Sequence, residues 1–153
     1  MASFKAQKAL APGYMDVEGA AFLATDKIVL GAAPGLGTPA AADTIDYLIP
    51  AGALLAEMRF FLDDCDTGVT FVFGVGYRAV NLADQTALPT NATYFAAAGQ
   101  TIGQTGGPLV CAFKPIKFEV DVYVQLLVGT ASTSIAGNPE IHMIAGYDCV
   151  GPK

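Results

Sequence analysis

The clearest pattern in the chain is a long alternation of apolar and polar residues over positions 116–128. Every even-numbered position there holds Ile, Phe, Val or Leu, whereas Lys, Glu, Asp, Tyr and Gln occupy most of the odd ones. A period of two residues is typical of a β-strand with one face in a core and the other turned outward. The stretch EIHMIAGYDCV alternates in the same way and predicts a last strand.

The middle of the chain carries two further alternating segments, joined by the acidic sequence DDCDTG. In residues 53–63 the even-numbered positions are all apolar, while Glu57, Arg59 and Asp63 stand among the odd ones. Helical spacing also fits this segment, but residues 69–77 alternate again, with apolar residues at the odd positions. Because two neighbouring strands with a polar connection are typical of a hairpin, we interpret the pair as a β-hairpin with DDCDTG at its turn.

Gly, Pro and Asn divide the rest of the chain. FLATDKIVLG predicts one or two short strands, AAPGLGTPAAA predicts a loop, and one or two helical turns are expected at residues 93–98. The whole pattern indicates an all-β fold: a single antiparallel β-sandwich, jelly-roll-like or barrel-like, with at most one short helix. We expect an extended N-terminal arm over residues 1–19, the sandwich over residues 20–150 and a tail over residues 151–153.

Composition indicates that the folded chain associates with something. Charged residues make up 14% of the 153 residues and the mean hydropathy is +0.46, so one small domain has limited interior for its apolar surface. An assembly with broad subunit contacts would bury the excess. No stretch approaches the roughly 18 apolar residues of a membrane-spanning helix, so no membrane partner is expected.

Charge and cysteine content narrow the classes of partner further. The net charge is −6 and the eight Lys and Arg residues are scattered, so nucleic acid is not an expected partner. Three widely spaced cysteines and a single histidine give no zinc pattern, and we expect buried free thiols. The N-terminus has no secretory apolar region, which predicts synthesis in the cytosol.

The stretch VTFVFGVGYRA contains Gly74-x-Gly76-x-x-Ala79 after an apolar run, which is the spacing of a dinucleotide-binding loop. Such a loop needs a following helix whose N-terminus faces the pyrophosphate. Here the alternation runs straight across the glycines, and the next residues have poor helical spacing and end in a proline. We therefore expect no cofactor, and a strand on which the two glycines admit a neighbouring backbone or a bulge.

Three other features touch on chemistry. Asp66-Thr67-Gly68 is the tripeptide of aspartic proteases, but that site needs apolar residues before the Asp and a second carboxylate from a dimer. Asp63, Asp64 and Asp66 could ligate a hard cation, although an Asp-rich hairpin turn explains them better. His142 lies in an alternating strand without a nucleophile motif. We expect no catalytic residue, no cofactor and no metal site.

The segment IPAGALLAEMRFFLDDCDTGVTFVFGVGY resembles the central part of small virion proteins of tailed phages, the head-decoration or capsid-cement type. A strand ends in a Pro-Ala-Gly turn, a D-D-x-D-T-G turn follows, and the next strand ends in a glycine pair. The spacer TYFAAAGQTIGQTGGPL, the turn GTASTSIAGNPEI and the final GYD are also similar, so the resemblance runs over residues 43–150. The N-terminal arm departs from it.

This resemblance implies a β-sandwich that sits on the outside of an assembled head, often as a homotrimer. Its partners would be the major capsid protein, whose subunits it would bridge, and other copies of itself. Its location would be the virion surface, after synthesis in the host cytoplasm. Its work would be binding alone, with each modest contact strengthened because its neighbours are tethered to the same shell.

Five residues are candidates for the interface. Phe4, Tyr14 and Phe22 are the aromatic residues of the N-terminal region, and aromatic side chains often anchor interfaces. Tyr123 and Leu127 stand on the otherwise polar face of the longest alternating segment. Local packing explains the first three equally well, and ordinary exposure explains the last two.

Other function classes remain open beside decoration of a capsid. A β-sandwich also suits another virion component, such as a tail, baseplate or fibre-base protein. A non-viral carbohydrate- or calcium-binding module is a second alternative, supported only by the Asp-rich turn. An enzyme is the least favoured class, because no motif comes with the context that its chemistry requires.

Overall fold

The computed structural model of the chain describes residues 3–5, 21–31 and 37–149, and these contain ten β-strands. The strands are β1 (Ser3–Lys5), β2 (Ala21–Val29), β3 (Thr44–Ile49), β4 (Ala53–Leu62), β5 (Val72–Ala79), β6 (Asn91–Gln100), β7 (Gly107–Val110), β8 (Ile116–Lys117), β9 (Val122–Thr130) and β10 (Glu140–Cys149). Two short 3-10 turns, Leu82–Thr86 and Ile102–Gln104, are the helical elements of the described ranges.

The strands form two sheets with the core between them. Sheet A has the order β1-β3-β9-β5-β6, and sheet B has the order β2-β10-β4-β7, with β8 beside β4. The pairs are antiparallel except for β1 and β3, which run parallel. The predicted all-β antiparallel sandwich is confirmed, and in the described part neither sheet closes into a barrel.

The core is made by the facing sides of the two sheets. On β9 the even-numbered residues 122–128 are at most 1% exposed, as their alternation predicts. Tyr47 of β3 reaches across to sheet B, where its hydroxyl donates a hydrogen bond to the Ile141 carbonyl at 2.8 Å. Its ring stands edge-on to that of Phe60, with 5.7 Å between centroids. Since burying one large apolar side chain stabilises a fold by roughly 1.5–3 kcal/mol, these faces drive the two sheets together.

The strands β4 and β5 exist where the alternation predicts them, but the predicted hairpin is wrong. β4 belongs to sheet B and β5 to sheet A, so the DDCDTG connection crosses from one sheet to the other. β4 pairs with β10, β7 and β8, and β5 pairs with β9 and β6. A period of two reports which face is buried and not which strand lies alongside, so it does not distinguish a hairpin from a crossing.

β4 changes its buried side halfway along. Its buried positions are odd-numbered up to Leu55 and even-numbered from Met58 onward. The pairing with β10 shifts register at this level, which marks a β-bulge. Because an extra residue exchanges the two faces, the prediction of one apolar face for all even positions is wrong at Leu54 and Ala56.

Residues 93–98, for which helical turns are predicted, lie within β6 instead. β6 pairs with β5 and forms one edge of sheet A. The run of alanines at residues 96–98 has high helix propensity, but propensity is a weak preference that pairing with a neighbouring strand outweighs. The helical prediction is therefore wrong.

The long alternating segment is divided between the two sheets. β8 pairs with β4 in sheet B, β9 lies in sheet A, and residues 118–121 cross between them. Phe118 is buried at the crossing, so the alternation of buried residues continues while the backbone changes sheet. The prediction of one continuous strand is therefore wrong, although Phe118 and the even-numbered residues 122–128 of β9 are buried as predicted, with Ile116 and Val120 partly buried beside them.

Part of the predicted N-terminal arm belongs to a sheet. β1 pairs with β3, with Phe4 opposite Ile45. The one or two short strands expected near residue 22 are a single strand, β2. Residues 6–20 and 150–153 lie outside the described residues, and the division into arm, sandwich and tail stays a prediction.

Candidate binding surfaces

The connection between β4 and β5 is built around Asp66, whose side chain is buried. One carboxylate oxygen accepts hydrogen bonds from the backbone N–H groups of Gly68 and Thr133, and the other accepts from those of Thr70 and Phe71, at 2.5 to 3.0 Å. Thr133 lies in the connection between β9 and β10, which also crosses from sheet A to sheet B. One carboxylate therefore ties two crossings together at the same end of the sandwich.

Asp66 is occupied by these contacts. Burial by itself raises the pKa of this carboxyl, but hydrogen bonds from the backbone of Thr70, Gly68, Phe71 and Thr133 outweigh burial and hold the pKa well below its ordinary value. An ionised carboxylate offers about four lone-pair sites, and here four N–H groups use them. Asp66 therefore has neither a proton to share with a second carboxylate nor free lone pairs for a cation.

The other two acidic residues of the turn also accept hydrogen bonds from backbone N–H groups. Asp63 accepts a hydrogen bond from the N–H of Glu140 at 2.8 Å, and Asp64 accepts one from the N–H of Asp66 at 3.1 Å. Within the described residues no group of three His, Cys, Asp or Glu side chains is placed to hold a metal ion. The geometry of DDCDTG is thus that of a structural connection, which removes the support for the protease and calcium interpretations.

Gly74 and Gly76 of β5 lie beneath the backbone of β6. A Cβ atom on Gly76 would stand 1.9 Å from the Asn91 oxygen and 2.3 Å from the Ala92 carbonyl carbon, and one on Gly74 would stand 3.3 Å from the Ala98 Cα. β6 shifts register twice along β5, so its extra residues bring its backbone over the outward side of β5. The interpretation of VTFVFGVGYRA as a strand with a close neighbouring backbone is confirmed for Val72–Ala79, whereas residues 69–71 lie before the strand.

The outward side of sheet A carries a polar cluster centred on Arg78. One guanidinium nitrogen lies 2.8 Å from the carboxylate of Asp46, and the guanidinium carbon stands 4.7 Å from the centroid of the Tyr123 ring. Asp46, Tyr123 and Gln125 are all buried. In the sequence, each of the apolar stretches TIDYLI and VFGVGYRA contains one isolated charged residue, which could have suggested a buried ion pair. Periodicity alone does not show that these two residues contact each other.

Two predicted interface residues belong to this side of sheet A. Tyr123 is 6% exposed and stacks against Arg78 within the chain. Leu127 is half-buried, with Gly74 and Thr44 as its cross-strand neighbours. Their role in a subunit contact stays a prediction.

The outward side of sheet B is open and partly apolar. Leu23 on β2, Phe61 on β4 and Val110 on β7 are 65%, 42% and 72% exposed, and half-buried Ile144 on β10 lies among them. We call this surface the sheet B face. Sequence reasoning misses it because its members come from four strands, and the order of strands in a sheet is not written in their periodicity.

The aromatic candidates of the N-terminal region are placed by backbone only. Phe4 stands in β1, and Phe22 stands in β2 opposite Tyr147 of β10. Tyr14 lies outside the described residues. Their role as interface anchors stays a prediction.

The thiols of Cys65 and Cys111 are free and buried, as predicted for these two cysteines. Burial raises the pKa of each to about 12, with the carboxylates of Asp63, Asp64 and Asp66 adding to the effect at Cys65. A thiol with such a pKa is a weak nucleophile at neutral pH.

His142 of β10 is half-exposed on the sheet B face, with its Nε2 atom 2.8 Å from a carboxylate oxygen of Glu140. The same carboxylate also holds Lys27 of β2, at 2.6 Å. The histidine is therefore part of a surface charge cluster. Helices in the described ranges are all too short to cross a membrane.

Two solved structures have a similar fold. A chain from the capsid of Ralstonia phage GP4 superimposes with a TM-score of 0.69, at 22% sequence identity, over 96% of this chain and 97% of that chain. This fold occurs in phage capsids. A chain from the capsid asymmetric unit of cyanophage Pam1 superimposes with a TM-score of 0.59, at 17% identity, over 90% of both chains. No family model and no curated protein sequence matches the chain.

Proposed function

We propose that this protein is a structural component of a tailed-phage virion, and that it binds the outside of the capsid as a decoration or cement protein. The observation that carries the proposal is the likeness of the whole fold to chains in two phage capsids. The resemblance of residues 43–150 to decoration proteins, which rests on sequence motifs, points the same way. The protein would bridge major capsid protein subunits and stabilise the shell by binding energy alone.

Multivalent binding would give this function its strength. A copy that contacts two tethered capsid subunits binds the second at a high effective concentration, so modest interfaces suffice. The N-terminal segment, with Phe4, Tyr14 and Phe22, would reach the shell, and Tyr123 and Leu127 would contribute to contacts between copies. A homotrimer on the virion surface, assembled in the host cytoplasm, is the arrangement we favour.

The state of the acidic turn supports a binding role over catalysis. Asp66 is the residue on which a protease interpretation would depend, and its carboxylate is used by four backbone N–H groups. Its contribution is therefore to the shape of the domain. We propose no catalytic residue, cofactor or metal for this chain.

The test is addition of the purified protein to expanded capsids that lack it. Cosedimentation should saturate at hundreds of copies per particle, and the decorated particles should resist heat and low salt better than bare ones. Replacing Phe4 and Tyr14 with alanine should weaken binding, whereas Leu82→Ala, which removes an exposed side chain on a 3-10 turn, should not. Failure to sediment with capsids at any concentration would overturn the proposal, and a handful of copies would indicate a tail or vertex component.

A further inference from the structure

The sheet B face gathers most of the strongly exposed apolar surface of the described residues. Of their five exposed large apolar side chains, three stand on this face: Leu23, Phe61 and Val110. They come from separate strands, β2, β4 and β7, so their convergence is a property of the assembled sheet. A concentration of apolar side chains on one face marks an interaction surface.

Charges on this face are paired with one another. Lys27 lies 2.6 Å from Glu140, and Arg59 lies 3.6 Å from Glu57. The chain as a whole carries a charge of −6, so most of its surface repels a second copy. Here the two pairs balance each other and Asp148 adds one negative charge, so a second copy meets less repulsion than the net charge of the chain would produce.

The order of residues along the strands makes the face complementary to itself. Ala24, Ala145 and Met58 form one row across β2, β10 and β4. Two copies can stack face to face around a two-fold axis that runs along this row, midway between the two sheets. Rotation about this axis reverses the direction of every strand, but β2 still lies over β2, β10 over β10 and β4 over β4. The result is an aligned packing of two sheets.

This operation places opposite charges against each other. On β4 it brings Arg59 over Glu57 of the partner subunit, and Glu57 over the partner's Arg59. On β10 it brings the imidazole ring of His142 over the carboxylate of the partner's Asp148, which is a polar contact. Each of these residues stands on the outward side of its strand, because Met58, Ala145 and Tyr147, which alternate with them, are buried.

One apolar pair on β4 matches in the same arrangement, whereas Leu23 on β2 comes over the partner's Thr25. Phe61 comes to lie over the partner's Leu54, since both stand on the outward side of β4 and are placed on opposite sides of the axis. Ile144 comes over the partner's Gly146, where Cγ and the carboxylate of Glu57 lie over the backbone. Matched apolar and charged positions around one axis are what a self-complementary contact requires.

We propose that two copies of this chain pair through the sheet B face, with Arg59 and Glu57 as reciprocal contacts on either side of a two-fold axis. The inference goes beyond the proposed function and does not rest on it, because it follows from the register of β2, β10 and β4 alone. On a capsid such a contact would join neighbouring copies, and it is compatible with a trimer formed through another surface.

The contact is expected to be weak and reversible. The face is about four strands wide, at about 4.8 Å per strand, and about eight residues long, at about 3.3 Å per residue. Its footprint is therefore roughly 500 Å². Stable complexes usually bury about 800 Å² of accessible surface on each partner. Pairing should therefore depend on protein concentration, and sedimentation velocity over a dilution series is the suitable measurement.

The decisive experiment exchanges charges between chains. Arg59→Glu alone and Glu57→Arg alone each place like charges together twice across the axis, so each should weaken pairing at least about a hundredfold. An equal mixture of the two single variants should restore pairing. One chain then carries two acidic side chains at positions 57 and 59, and they face the two basic side chains of the other chain. Loss of the intrachain Arg59–Glu57 contact cannot produce that rescue, since both chains in the mixture still lack it.

Thermal unfolding of each variant serves as the control for folding, and Leu82→Ala is the matched surface control for association. Wild-type protein that does not pair through any concentration range, or pairing that neither single variant weakens, would overturn the proposal. So would a mixture that fails to restore pairing. Capsid binding measured on the same variants separates the two proposals: loss of shell binding by monomeric Arg59→Glu protein would assign this face to the capsid instead.

Discussion

Asp66 illustrates how a single buried side chain can organise two connections of a sandwich. A buried charge is costly unless hydrogen bonds replace its hydration, and here four backbone N–H groups do so. Neighbouring bonds join the same loops: the Ser132 hydroxyl donates to the Cys65 carbonyl at 2.9 Å, and the N–H of Thr67 donates to the Ser134 carbonyl at 3.0 Å. The fold of the acidic turn depends on the charge of Asp66, and this accounts for the carboxylate at that position of the sequence.

Asp66→Asn should destabilise the fold by about 3 kcal/mol, because hydrogen bonds to a charged group contribute roughly 1.5–3 kcal/mol and the new amide would turn its own N–H groups toward backbone donors. Urea unfolding at neutral pH measures the change. Asp84→Asn, on the half-exposed 3-10 turn, is the matched control and should have little effect. A loss below about 0.5 kcal/mol for Asp66→Asn would contradict this account.

The same residue predicts a dependence of stability on pH. The pKa of Asp66 is lowered in the folded chain, so its contribution is complete above the unfolded pKa of about 3.9 and declines as pH falls toward the folded value. The difference in unfolding free energy between wild type and Asp66→Asn should therefore be constant from about pH 6 to 8 and shrink below about pH 4. A difference that grows on acidification would show that the assigned direction is wrong.

At the scale of elements, the contact of β6 with β5 depends on the absence of side chains. Gly74 and Gly76 leave room for the β6 backbone, which shifts register twice to cover them. This arrangement covers one edge of sheet A with an irregular strand, and irregular edges resist pairing with other chains. The glycine spacing that resembles a nucleotide-binding loop is thus explained by backbone packing.

Gly76→Ala should be severely destabilising, by about 3 kcal/mol or more, because the new Cβ would meet backbone atoms of Asn91 and Ala92 that have no rotamer to change. Gly129→Ala is the matched control, since a Cβ there would make only ordinary contacts with Val72 at 3.6 Å. Thermal unfolding of both variants measures the difference. Equal midpoints would contradict the close packing of β6 on β5.

For the whole molecule, the apolar composition is divided between a core and one surface. Buried residues of both sheets form a single cluster, which includes the thiols of Cys65 and Cys111. Among the described residues, three of the five exposed large apolar side chains stand on the sheet B face. A domain of this size therefore buries much of its apolar surface internally, and we propose that the sheet B face meets a second copy.

The two buried thiols report on the integrity of this core. With a pKa of about 12, their thiolate fraction at pH 8 is about one in ten thousand, so a disulfide reagent should react only when the fold opens. In a Cys149→Ser variant, native protein should show almost no reaction with such a reagent, and two thiols should react rapidly in concentrated urea. Fast reaction of either thiol in native protein would show that the core is accessible.

Period-two alternation in the sequence determines the all-β class and most of the core, because burial of one face of a strand leaves a local trace. It also shows that VTFVFGVGYRA is a strand, since the pattern continues through the glycines. Tertiary structure alone decides the other features: the β6 strand, the bulge in β4, the crossings at DDCDTG and residues 118–121, the Arg78 cluster and the sheet B face. Each depends on which strands lie side by side, and that choice is made by contacts between residues far apart in the chain, which no local period records.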